Sequence, residues 1–356
     1  MRKESLEFLE RLMNTASPMG FETEGQKVWC QYVAKYADEV RTDAYGNAVA
    51  ILNPAGDPKV MIDGHIDEIG LMVKYIDDDG FIYFQRIGMV DPALVRGKRV
   101  NIYTEKGIVP GVIGSPAIHL QDRDKEKKVP EMHESFVDIG AKNKKEAEKK
   151  VSVGNPIVFD EGFEILNGTV AVARAFDDRA GAWAVAETLR LAALKKKQLK
   201  CAIYATSSVH EEGGTLGGAS MQTYNIKPDI AIVVDTKFAA DNPAVDVKVH
   251  GEVKLGAGPT VSVGRENHPV LLERLRKVAD KKKIPLQTTP FGGTNNALAI
   301  YNKQGGIPTV RVGIPSRYTH TTVEMLNLKD LQQTADWLAA FCLDLKKGER
   351  FKVEMK

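Results

Sequence analysis

The chain is poor in cysteine: Cys30, Cys201 and Cys342 are the only three in 356 residues. They stand far apart among apolar neighbours and form no CxxC pair, which argues against a disulfide framework. Cys201 opens the apolar run CAIYA and reads as a small core residue. No apolar run is long enough to span a bilayer. Neither sign of charge is in excess, since 49 Lys and Arg face 47 Asp and Glu; this leaves no pull towards nucleic acid or a membrane surface. Internal repeats and low-complexity linkers are also missing. The opening MRKESLEFLERLMNTAS carries apolar residues at helical spacing and acids throughout, so it reads as a helix and not a signal peptide. A cytoplasmic protein is the expectation. The lysine-rich runs DRDKEKK (Asp122–Lys128) and KNKKEAEKK (Lys142–Lys150) contain acids as well and read as solvated surface.

What is present is a clear alternation. Helical periodicity covers Ser5–Met13, Glu24–Ala37, Gly181–Lys195, Pro269–Lys282 and Leu328–Leu345. Apolar strand-like runs at 59–63, 201–209, 229–235 and 309–314 fall between them. Strands alternating with helices predict an α/β fold: a doubly wound, mostly parallel sheet with helices on both faces. From about Leu71 to Asp160 the pattern changes to short strands, many glycines and little helical period, as in GFIYFQRIG and KRVNIYTEKGIVPGVIG. That segment predicts a small β-barrel or β-sandwich, and the expected organisation is a catalytic domain of 1–70 and 161–356 with an inserted small β-barrel domain at 71–160.

The chemistry-bearing residues sit where the buried runs end. KVMIDGHIDEIGLMV (Lys59–Val73) places Asp63, His65, Asp67 and Glu68 inside an apolar run, and burying such groups costs several kcal/mol each unless something compensates. CAIYATSSV runs into His210, Glu211 and Glu212; DIAIVVD ends on Asp235; TVRVGIPSRYT runs into His320; and Asp177 and Asp178 stand just before a helix. Sites in open α/β sheets form beyond the carboxyl ends of the strands. Taken singly, His65 reads as a hydrogen-bonded core histidine, Asp177 as a helix cap, and Asp178 with Arg179 as a surface ion pair. Together they form a set of two histidines and several carboxylates without a thiolate, suited to Zn²⁺, Mn²⁺ or Co²⁺. Two cations sharing a bridging carboxylate would neutralise the buried acids.

The motifs GHIDEIGLMV, AFDDRAG, HEEGGTLGGAS, VVDTKFAADNP, FGGTNNALAI and IPSRYTHTTVEM resemble, in order and over nearly the whole chain, those of the dinuclear-metal aminopeptidases of metallopeptidase family forty-two, which include the tetrahedral (TET), glutamyl and deblocking aminopeptidases. The resemblance implies two divalent metal ions per subunit (Zn or Co, or Mn), with His65 on one, Asp177 bridging both, Glu212 and His320 completing one site and Asp235 the other. It implies Glu211 as the general base for a metal-bridging water, and Asp67 as the partner of the far nitrogen of His65. It also implies a cis peptide between Asp177 and Asp178, and Asn295, Arg317 and Tyr318 near the substrate. Asp63, Glu68 and His210 are expected to be neighbours and not ligands; His119 and His133 are expected to be structural or near a substrate channel. The chain departs from the family at His210 and Gly213, which flank the paired glutamates, and at Asn295, where the family carries Asp, so the preference for a particular N-terminal residue does not carry over. The resemblance further implies a dimerising insert, assembly into hollow dodecamers and short peptides as substrates. The alternatives are a glycoside hydrolase, which would need carboxylates about 5–9 Å apart and no metal, and a non-catalytic, metal-stabilised assembly protein.

Overall fold

The computed structural model describes residues 1–120 and 129–355; the run Asp122–Lys128 lies outside the described residues. The four apolar runs become the strands Lys59–His65, Ala202–Ser208, Ile230–Phe238 and Thr309–Arg317. Ala202–Ser208, Lys59–His65, Ile230–Phe238 and Thr309–Arg317 lie side by side in that order, every pair parallel. Near-continuous runs of Val, Ile and Ala are what a strand covered on both faces requires.

Antiparallel strands extend this parallel core on either side. Ala48–Leu52 and Glu39–Thr42 continue one edge; Glu324–Asn327, Val170–Ala173 and Glu164–Asn167 continue the other. The 11-stranded sheet is therefore mixed, parallel at its centre and antiparallel towards its edges. The edge strands have only four or five residues each, too short for their periodicity to stand out in the sequence.

Alternation along the strands divides the core in two. Val60 and Ile62 face a large cluster with the helices Lys3–Asn14, Thr23–Val33, Phe176–Ala193, Pro269–Lys282 and Leu328–Asp344. Met61 faces the opposite side, with Ala219 and Ile226 of the Gly217–Ile226 helix. That last helix was not expected, because its buried positions include Gly218, Gln222 and Thr223, which carry no apolar period. The helix expected over Glu24–Ala37 ends at Val33.

Helix Phe176–Ala193 is buried almost all round, and one glycine sets how closely it lies on the sheet. A Cβ on Gly64 would sit 2.6 Å from the backbone nitrogen of Ala182, so no larger residue fits next to His65.

The insert is a closed barrel of six antiparallel strands, in the order Gly70–Ile76, Ile82–Ile87, Phe136–Asp138, Gly107–Ile113, Lys98–Thr104 and Pro156–Phe159. It has its own core, including Leu71, Phe84, Val100, Ile102 and Ile157. Only four residues, Ile66 to Ile69, separate it from the Lys59–His65 strand, so the acids of that run sit at the junction. In Lys142–Lys150 a short helix, Lys144–Glu148, buries Ala147 alone and leaves most of the charged side chains in solvent. No described helix is long and apolar enough to cross a membrane.

Candidate active site

His65 ends its strand, and parallel register sets what stands beside it. Asp63 pairs with Val233 on one side, and His65 pairs with Ser208 on the other, so Asp235, two residues past Val233, comes level with His65. His65 is buried, and its two ring nitrogens face different partners. Nδ1 lies 3.1 Å from the Asp67 carbonyl oxygen and 3.4 Å from the Asp67 carboxylate. Nε2 points into the site, 3.5 Å from Asp177 Oδ1 and 3.8 Å from Glu211 Oε2. A carboxylate or carbonyl on the far nitrogen fixes the tautomer that leaves the near one free as a ligand.

Asp177 is presented by a break in its helix. Ala175 adopts left-handed φ of 61°, Asp177 and Asp178 are non-helical, and the peptide between them is cis. A buried ion cluster clamps both flanks of this turn: Glu68 accepts from Arg174 Nε at 3.1 Å and pairs with Arg179 Nη2 at 2.9 Å. Arg179 is thus fully buried on Glu68 and is not part of a surface pair with Asp178. Asp178 faces inward, accepting from Gly181 N at 2.9 Å and His65 N at 3.3 Å.

His320 faces Asp177 from the opposite side. Its Nε2 is 3.5 Å from Asp177 Oδ2 and 3.3 Å from Glu212 Oε2. Ligand atoms of His65, Asp177 and Asp235 lie within 4.8 Å of one another, as do those of Asp177, Glu212 and His320. The two triads share Asp177, with Oδ1 towards one histidine and Oδ2 towards the other. Glu211 belongs to neither. The structure therefore brings together all seven residues expected as ligands, base and histidine partner.

The electrostatics fit a divalent cation in each triad. Burial, opposed by His65 but reinforced by Asp235, Glu212 and Asp177, pushes the Glu211 carboxyl up to about 9; burial chiefly raises Glu212 to about 7. Burial opposes charge on His320, but the Glu212 hydrogen bond and the fields of Asp177 and Glu324 outweigh it and lift the imidazole to about 10. Such a crowd of buried acids lacks positive charge. Glu212 Oε1 and Asp67 Oδ1 are buried with no hydrogen-bond partner among the described residues, and donors of nitrogen and oxygen alone suit Zn²⁺, Co²⁺ or Mn²⁺.

Glu324 escaped the sequence reading. It is fully buried and accepts from Asp177 N at 2.8 Å and His320 N at 2.7 Å, tying the backbones of two expected ligands together. Its signal was its place four residues after His320. Asp63 is held by Thr206 Oγ1 (2.6 Å), Asn296 Nδ2 (2.8 Å) and Ser208 Oγ (3.2 Å), and His210 lies 3.6 Å from Glu22; both are neighbours, as expected. An open cavity of about 490 Å³ adjoins the triads, walled by Phe238, Val249, Phe291 and the glycines 292 and 293.

The three residues expected near substrate do not line that cavity. Asn295 is buried and turned inward, its Oδ1 accepting from Ala297 N at 2.8 Å. Arg317 is engaged by Asp241 through two hydrogen bonds of 2.8 and 2.6 Å. Tyr318 is exposed, with left-handed φ. His119 and His133 are exposed on the insert and do not line the cavity either.

An α/β sheet that delivers paired histidine and carboxylate triads to the rim of an open cavity belongs to the metal-dependent hydrolases. The profile described as M42 glutamyl aminopeptidase matches residues 46–337. The chain belongs to that family and is a metallo-aminopeptidase, a hydrolase of peptide bonds. It is 32% identical to the lysyl aminopeptidase of Pyrococcus furiosus over 96% of this chain and 97% of that one. The crystal structure of a TET aminopeptidase from a marine sediment archaeon of the Thaumarchaeota superposes with a TM-score of 0.91 at 33% identity, covering 96% of each chain. The TET1 peptidase of Pyrococcus horikoshii, which can assemble into a tetrahedron or a large octahedral shell, gives 0.86 at 29% identity over 96% of this chain and all of that one.

Proposed function

We propose that the protein removes N-terminal residues from short peptides, with one divalent cation held by His65, Asp177 and Asp235 and a second by Asp177, Glu212 and His320. The observation that carries this reading is the shared carboxylate, with Asp177 Oδ1 and Oδ2 each 3.5 Å from a different histidine. Cations held there supply Lewis acidity, acidifying water and polarising a carbonyl oxygen. Glu211, outside both triads, takes a proton from the attacking water and returns it to the leaving amine. Asp67 keeps His65 oriented while its Oδ2 accepts from Glu212 N at 2.9 Å, so one carboxylate positions a member of each triad. Glu324 does the same for Asp177 and His320 through their backbones.

A panel of aminoacyl p-nitroanilides, with and without chelator, tests the reading. Chelation is expected to abolish hydrolysis, and Zn²⁺, Co²⁺ or Mn²⁺ to restore it. Full activity in a verified metal-free preparation would overturn the mechanism.

The barrel supports a further part of the same reading. Ile108, Val112, Ile118, Leu120 and Val129 are exposed within the insert, and exposed apolar side chains are what a subunit interface would cover. The insert pairs subunits, and dimers build a hollow dodecamer in the cytoplasm that admits short peptides and excludes folded proteins. Light scattering at micromolar concentration is expected to give a dimer at least; a monomer would overturn the assembly, and rapid trimming of an intact folded protein would overturn the size filter.

A further inference from the structure

One stretch of the cavity wall has few side chains to hold it. Pro290, Phe291, Gly292, Gly293 and Thr294 line the cavity in succession, and the two glycines can be fixed only through their backbone. Phe291 N donates to Val263 O at 3.0 Å. Beyond it, two arginines take the glycine carbonyls in turn: Arg311 Nη1 donates to Gly292 O at 2.8 Å, and Arg265 Nη2 to Gly293 O at 2.9 Å. Their other contacts differ. Arg265 lies over the Phe291 ring at 5.1 Å and pairs with Glu266 at 2.6 Å. Arg311 is buried, and its Nη2 donates to Asp235 Oδ2 and to Thr236 O, both at 3.2 Å. One guanidinium therefore joins a glycine of the cavity wall to a carboxylate of the first triad.

Asp235 is held at both oxygens, because Thr236 N donates to Oδ1 at 2.6 Å. Without Arg311 the backbone would still orient this carboxylate, so what the guanidinium chiefly adds there is charge. A positive charge on Asp235 opposes a second positive charge on the same group. Asp177 and Glu212 pair with histidines and, among the described residues, with no arginine or lysine. The second triad therefore meets no such opposition. The planar fork of an arginine can serve wall and carboxylate together; a lysine at this position keeps the charge but not both sets of bonds. We propose that Arg311 is a positioning residue that fixes the glycine wall for substrate while lowering cation affinity at the His65–Asp177–Asp235 triad. This inference rests on the cation assignment above and adds a residue to it.

Three measurements test it. Calorimetric titration of metal-free protein with Mn²⁺ reads cation affinity. Hydrogen exchange at residues 291–294, also in metal-free protein, reads the wall. The p-nitroanilide that wild type hydrolyses fastest gives kcat and KM after loading. Arg311→Met is expected to tighten one of the two Mn²⁺ sites by about tenfold or more. It should also speed exchange at the wall and raise KM by about tenfold, as for loss of a hydrogen bond to a charged group, with kcat changed less. Arg265→Met, which touches the wall and no triad residue, should speed exchange and raise KM while Mn²⁺ affinity stays at the wild-type value. Arg311→Lys should keep Mn²⁺ affinity near wild type and still loosen the wall. A variant that merely folds badly weakens cation binding and does not tighten it. Arg311→Gln removes the charge but keeps an amide donor for the buried carbonyls, and it repeats the affinity test if Arg311→Met does not fold. Mn²⁺ affinity no tighter than wild type in the neutral variants, or unchanged exchange at 291–294 in Arg311→Lys, would overturn the proposal. Wild type binding fewer than two Mn²⁺ would overturn the cation assignment, and hydrogen exchange would still decide the hold of Arg311 on the wall.

Discussion

Glu211→Gln is expected to lower kcat by about three orders of magnitude or more while both cations stay bound. Two adjacent glutamates leave the same strand end with different surroundings. Glu212 is fixed on both sides, its backbone N–H donating to Asp67 at 2.9 Å and its carboxylate 3.3 Å from His320 Nε2. Glu211 is in neither triad, yet its Oε2 stays 3.8 Å from His65 Nε2 and its side chain keeps 13% exposure to the cavity. A base must reach the reacting proton without being used up as a ligand, and only Glu211 meets that condition. Its carboxyl is pushed up to about 9 chiefly by burial, with Asp235, Glu212 and Asp177 adding to the rise. Cations held by those three would remove their part of the rise. The amide keeps the shape and loses the proton-accepting oxygen. The check is kcat and metal content measured on one preparation. A variant that loses metal and regains its rate when metal is resupplied would mean that the two glutamates have exchanged roles.

The parallel centre of the sheet was legible because its strands are long apolar runs, and the site was legible because each run ends in ionisable residues that a buried strand cannot otherwise tolerate. That ground singled out the clusters that hold His65, Asp177, Glu211, Glu212, Asp235 and His320 before any pairing was known; the choice of ligands within them came from the motif resemblance. The edges were not legible: Val170–Ala173 and Glu324–Asn327 are four residues long and take their conformation from the neighbours they pair with. The same fact hid Glu324. Its carboxylate looks like any surface acid until the strand that carries it is placed beneath Asp177 and His320. Asp178 and Arg179 were misleading in the opposite way, since adjacent opposite charges suggest a pair, whereas one turns to the His65 backbone and the other to Glu68. Asn295, Arg317 and Tyr318 came from motif resemblance, which carries position along the chain but not the direction of a side chain. Here Asn295 caps the turn ahead of Ala297, and Asp241 holds Arg317.

Asp177→Asn is expected to weaken cation binding at both triads, by about two orders of magnitude or more at each, and to remove activity at micromolar metal. Loss of a group that merely supports a ligand costs about 10–100-fold in affinity, and this change removes the charge from the one residue common to both triads. Its surroundings leave no substitute. Asp178 is turned away onto the Gly181 and His65 backbone nitrogens, and Glu324 is engaged by the N–H groups of Asp177 and His320. The backbone hydrogen bond from residue 177 to Glu324 survives the substitution, as do the Arg174 and Arg179 contacts to Glu68, so the turn keeps its course and the loss is one of charge. Asp235→Asn supplies the contrast, because Asp235 belongs to a single triad; it should weaken one cation and leave the other near its wild-type affinity. Equilibrium dialysis with elemental analysis of both variants reads the difference directly. One equivalent lost from Asp177→Asn and two from Asp235→Asn would mean that the shared ligand is Asp235, and the assignment of a common carboxylate to Asp177 would fall.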